Sequence, residues 1–145
     1  MAARQFAQIN TAGVTPELEI QIGNANIAAY RVFRWDADRR SVLIGQWNNV
    51  DAPGSGLSLG VPAHQLVGAT ISYEVILQSP NAGAGQPYGM CLSVRQDGAI
   101  VPGGVYWEIG KLNEDGAKSA IGFISFKSDQ QSALSFQRYP VSRLS

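Results

Sequence analysis

"TISYEVILQ", Thr70 to Gln78, decides the fold. Ile71, Tyr73, Val75 and Leu77 fall on every second position, and Ser72, Glu74 and Gln78 fall between them. A period of two places all four apolar side chains on one face of a pleated strand, whereas a helix would split them two and two between opposite faces. The same spacing recurs elsewhere. In "ELEIQIG" (Glu17 to Gly23), Leu18, Ile20 and Ile22 oppose Glu17, Glu19 and Gln21. In "YGMCLSVRQ" (Tyr88 to Gln96), Tyr88, Met90, Leu92 and Val94 oppose Gly89, Cys91, Ser93 and Arg95. In "GVYWEIG" (Gly104 to Gly110), alternation predicts Val105, Trp107 and Ile109 buried and Tyr106 outward with Glu108. "AIGFISFKS" and "ALSFQRY" (Ala133 to Tyr139) are strand-like in composition with weaker alternation.

Turn-forming residues separate these runs. Gln96-Asp97-Gly98 and "NEDG" (Asn113 to Gly116) supply glycine where a tight turn needs positive φ. "SPNAGAGQP" (Ser79 to Pro87) is a longer loop, and "NNVDAPGSGLSLG" (Asn48 to Gly60) is the longest irregular stretch. The best helix candidate is short, "PAHQLVG" (Pro62 to Gly68), with proline at its start and glycine behind it. Eight or nine strands with one apolar face each, and at most one short helix, describe an all-β antiparallel β-sandwich, with a jelly roll as one form of it and a closed barrel as the rival. Residues 1–145 are the length of one domain, and 45% apolar residues can supply its core.

In "VFRWDADRRSVLIGQW" (Val32 to Trp47), a hairpin with Asp36 to Arg40 as its connection sets Phe33 across from Leu43. Unbroken alternation then predicts Trp35 and Trp47 on the same face. Both strands also carry apolar residues on the other face, as a central or partner-covered hairpin does.

Composition narrows the function. One cysteine, Cys91, forbids an intrachain disulfide, and one histidine, His64, forbids a Cys/His structural zinc site. Eleven basic and eleven acidic residues, with no basic cluster, argue against nucleic acid as the main partner. No apolar run is long enough for a signal peptide or a membrane span, so the expected compartment is the cytoplasm, with leaderless export left open. Only 15% of residues are charged, which leaves the surface poorly defended against association and points to a homo-oligomer.

Candidate chemistry is sparse. Gly56-Leu57-Ser58-Leu59-Gly60 matches the nucleophile-elbow pattern, but that pattern needs a strand turning into a helix in an α/β sheet. His64 lacks companion ligands, and Cys91 lacks an adjacent base. Asp36 and Asp38 at the hairpin tip, or Asn48, Asn49 and Asp51 in the long loop, offer oxygens suited to calcium, but the two groups lie roughly 20 Å apart along a strand. No other cofactor is expected. Trp47 with Asn48, Asn49 and Asp51, and Tyr106 with Glu108, combine a ring with hydrogen-bonding groups, the chemistry of a glycan platform or of a protein contact. The reading is a non-enzymatic binding or assembly protein, self-associating through a sheet face or loops. A lectin-like module is the alternative, and a hydrolase built on Ser58 ranks last.

Overall fold

The computed structural model describes residues 2–23, 26–50, 56–79 and 85–129. Nearly everything in them is strand: β1 (Ala3–Ile9), β2 (Glu17–Ile22), β3 (Ile27–Trp35), β4 (Ser41–Asn48), β5 (Gly56–Ser58), β6 (Thr70–Gln78), β7 (Pro87–Gln96), β8 (Ala99–Lys111) and β9 (Ala117–Ser128), with one helix, α1 (Ala63–Leu66). The strands form a five-stranded sheet A, ordered β1-β9-β6-β3-β4, and a four-stranded sheet B, ordered β5-β2-β7-β8, packed as a β-sandwich. Pairing is antiparallel except where β1 runs parallel to β9. The strand-like run at residues 133–139 lies outside the described residues.

The core is made by the period-two positions. Ile71, Tyr73, Val75 and Leu77 of β6 are all buried, facing Leu18 and Ile20 of β2 and Met90, Leu92 and Val94 of β7. The turns follow their residues. Asp97 and Gly98 both take positive φ, 54° and 79°, which closes the β7–β8 hairpin tightly. Between β8 and β9, the Gly116 N–H donates to the Asn113 carbonyl. At the β3–β4 tip the Asp36 N–H donates to Arg40 O and Arg39 carries φ 68°. Pro62 precedes α1 rather than opening it, and Gly68 behind it takes φ 91°.

Two irregularities reset the alternation, and each moves a tryptophan. In the β3–β4 pair, Val32 faces Gly45 but Phe33 faces Leu43, so Ile44 is an extra residue, a β-bulge. Past the bulge the phase of β4 flips. Trp47 pairs with inward Tyr30, while Leu43 joins Phe33 on the outer face. Trp35 and Trp47 therefore lie on opposite faces, not the same one. Trp35 is 44% exposed, with its indole N–H donating to Ser72 Oγ at 2.9 Å. Trp47 packs against Tyr30, ring centroids 4.9 Å apart.

In the β7–β8 pair, Ser93 faces Val105 and Arg95 faces Ile100, so β8 carries extra residues around Pro102-Gly103-Gly104. Gly103, at φ 72°, presses against the Phe6 carbonyl of β1, where the rims of the two sheets meet. Beyond this bulge β8 takes its phase from β7. Tyr106 and Glu108 pair with inward Leu92 and Met90, whereas Val105, Trp107 and Ile109 pair with outward Ser93, Cys91 and Gly89. The expected burial of Trp107 is thus reversed: it is 67% exposed and Ile109 79% exposed.

Candidate functional site

The two aromatic clusters expected to meet a ligand are placed differently. Trp47 is half-buried against the core. Asn49 serves the backbone: its Oδ1 accepts the Ala28 N–H at 2.9 Å and its Nδ2 donates to Asn26 O at 2.9 Å. Asn48 Oδ1 accepts the Val50 N–H. Asp51 lies outside the described residues. Trp47 and Asn48 do line one rim of a groove of about 430 Å³ in sheet A. Arg31, Gln46 and Glu74 stand beside one another there across three strands, around Ala29 and Ile76.

Tyr106 and Glu108 face inward instead of outward. The Glu108 carboxylate accepts the Tyr88 hydroxyl at 2.9 Å on Oε2 and the Tyr106 hydroxyl at 3.0 Å on Oε1. Burial, together with the hydrogen bond to Glu108, pushes Tyr88 up to about 12 and raises Tyr106. Tyr73, buried nearby, is raised by burial and then by the charges of Tyr106 and Glu108. Glu108 and Tyr106 are partly buried, and the carboxylate is held by two neutral phenols on the inner side of sheet B. Each of its oxygens is engaged by a hydroxyl of its own chain and it faces inward, so it is not an outward platform.

The outward chemistry of sheet B is apolar. Val105, Trp107 and Ile109 stand exposed along β8, the edge strand. Between β8 and β2 lies a groove of about 300 Å³ with Gly89 and Cys91 on its floor and Gln21, Ile22, Trp107 and Ile109 on its walls. The Cys91 thiol is buried, and burial raises its pKa, with a smaller contribution from the Glu19 charge. That holds it in the unreactive protonated form.

The remaining chemical candidates do not converge. Ser58 Oγ accepts the Gly60 N–H at 3.2 Å, and His64 is exposed on α1. Asp36 is held by Arg34 at 2.7 Å, and Asp38 approaches Arg40 at 3.4 Å. Among the described residues no three His, Cys, Asp or Glu side chains gather where they could hold a metal, and no helix is long and apolar enough to cross a membrane.

Sequence alternation grouped Val105, Trp107 and Ile109 correctly but turned the stripe inward, because alternation carries no phase information across a bulge. The available signal was Pro102-Gly103-Gly104 directly before the strand, a sequence poor at continuing a ladder. Compared with models of protein families, with curated proteins and with solved structures, the chain matches none.

Proposed function

We propose that this is a non-enzymatic binding and assembly protein that associates with further copies through the outer surface of sheet B. The observation that carries the reading is the run of Val105, Trp107 and Ile109, outward and uncovered on an edge strand. Trp is enriched where proteins meet, and an exposed apolar edge favours association. The low charge of the chain supports the same reading. Sedimentation velocity over a hundredfold concentration range tests it. A mass that rises with concentration and falls with Trp107→Ser is expected, and a monomer throughout refutes it.

A lectin-like reading is favoured by one observation, the sheet A groove, where Arg31, Gln46, Asn48 and Glu74 surround the small Ala29. A carbohydrate's hydroxyls match such mixed donors and acceptors. A glycan array with wild type and Glu74→Ala tests this, and the absence of any bound glycan rules it out.

A further inference from the structure

The backbone of β8 offers a specific way for two copies to meet. In an antiparallel ladder, successive residues turn their N–H and C=O groups alternately to one neighbour and the other. The Gly23 N–H donates to Gly89 O at 2.8 Å, so Gly89 turns its carbonyl toward the β2 side. The Leu112 N–H donates to Gln86 O at 2.8 Å, so the even positions are the ones that join β8 to β7. The pairs Gly89–Ile109, Cys91–Trp107 and Ser93–Val105 are therefore the non-bonded pairs of this ladder. It follows that Val105, Trp107 and Ile109 turn their N–H and C=O groups to the open side of β8. On that side no described strand is hydrogen-bonded to β8, and β1 packs beside it where Phe6 meets Gly103. The same residues carry the exposed apolar side chains.

Edge strands are ordinarily guarded by lysine, proline, a bulge or short length. In sheet B, β5 is only three residues long. In sheet A, β4 carries its bulge at Ile44. The guards of β8, Pro102 and Gly103, lie before Val105, and Lys111 follows Ile109, so the segment between has none. That segment also reads nearly the same in both directions about Trp107: Gly104 answers Gly110, Val105 answers Ile109, and Tyr106 answers Glu108. A strand with this symmetry complements itself across a two-fold axis, where each residue meets its mirror position on the partner.

We infer that β8 pairs antiparallel with β8 of a second copy about a two-fold axis at Trp107, joining the two B sheets into one. The inference rests on the assembly reading above and specifies its geometry. Trp107 bonds to Trp107 of the partner subunit, and Val105 bonds to the partner's Ile109, each residue using its outward N–H and C=O. The axis stands perpendicular to the sheet, so both indoles remain on the outer face, side by side. On the inner face, Tyr106 lies opposite the partner's Glu108. The contact involves one strand and three apolar side chains per copy, which places it among weak, reversible associations rather than obligate dimers.

The test combines amide exchange with two variants. In wild type, the Val105, Trp107 and Ile109 amides should become protected as concentration rises while those of the exposed turn Asp97-Gly98 do not. Trp107→Pro removes an N–H that β7 does not use, as an edge strand tolerates, and should weaken the dimer by at least about tenfold with circular dichroism unchanged. Cys91 faces Trp107 in register, so cross-linking uses a Cys91→Ala background. There, Trp107→Cys should form an interchain disulfide, because directly opposed bonded residues sit about 5.5 Å apart at Cα. Ile109→Cys should not, being displaced from its own counterpart by roughly 13 Å along the strand. An oligomer that survives Trp107→Pro, with these amides exchanging freely, overturns the edge pairing and leaves self-association standing. Cross-linking by Ile109→Cys in place of Trp107→Cys overturns the register. A monomer at every concentration overturns both proposals, and concentration-independent protection of the three amides then identifies an occupant from within the same chain.

Discussion

Gly122 of β9 is paired with Tyr73 of β6, and a Cβ added there would coincide with the phenol oxygen and Cζ of Tyr73 and lie 2.6 Å from its Cε2. Tyr73 is only 1% exposed, so the ring has nowhere nearby to go. Gly122→Ala forces one of two outcomes. Either the strands part slightly, at the about 1–3 kcal/mol typical of an overpacked core, or the ring leaves, with a loss approaching the about 3–5 kcal/mol of deleting a buried aromatic. The expected destabilisation is about 3 kcal/mol. Urea unfolding followed by tryptophan fluorescence would show it as a midpoint lowered by about 1.5 M, taking a slope of about 2 kcal/mol per M. In a Tyr73→Leu background the obstruction is gone. The same substitution should then be neutral or stabilise by about 0.5 kcal/mol, because alanine loses less backbone freedom than glycine. The coupling between the two sites is therefore about 3 kcal/mol. A cost below about 1 kcal/mol, or an equal cost in both backgrounds, would refute the reasoning.

Gly103→Ala meets both a positive φ and the Phe6 carbonyl; thermal unfolding should show a loss of at least about 2 kcal/mol, since strain and contact add. Trp47→Ala should destabilise by about 2–3 kcal/mol in urea, as expected for a ring packed on the core, whereas an exposed platform residue would cost little. Alkaline pH should unfold the protein. Tyr30 and Tyr88 are held neutral to about 12, and Tyr73 and Tyr106 are also raised, all first by burial. The unfolded chain releases these protons near pH 10 and the fold does not. Their stabilisation is thus complete below pH 10 and falls above it, by up to about 1.4 kcal/mol per pH unit for each tyrosine still protonated. Absorbance at 295 nm against pH, read with circular dichroism, should show late phenol ionisation coinciding with unfolding; ionisation near pH 10 in a folded protein would contradict the burial of the rings.

The strands could be read wherever alternation ran unbroken. Ile71 to Leu77 and Tyr88 to Val94 are buried as their spacing requires, and Asp97-Gly98 turns the chain as its residues require. The faces of Trp47 and Trp107 could not be read, because one additional residue at Ile44, and several around Gly103, shift every later side chain to the opposite face. Tyr106 and Glu108 deceived for a second reason. In a strand, polar atoms usually mark the wet side, but here the carboxylate accepts the hydroxyl of Tyr106, two residues before it, and that of Tyr88 from the neighbouring strand, and the second of these local pattern does not encode. β1 carries a weak signature, since Gln5 lies among its inward residues.

The parallel pairing of β1 with β9 sets an order on assembly. Ala3 lies beside Gly122 and Ile9 beside Ser128, so β1, made before every other described strand, must wait for β9, made after them, before it has a hydrogen-bonded neighbour in its sheet. Closing so long a loop is entropically slow, and its partner strand is parallel, without a hairpin to hold register. Until β9 is made, β6 also lacks the strand on one of its flanks, so sheet A closes late from both of β9's sides.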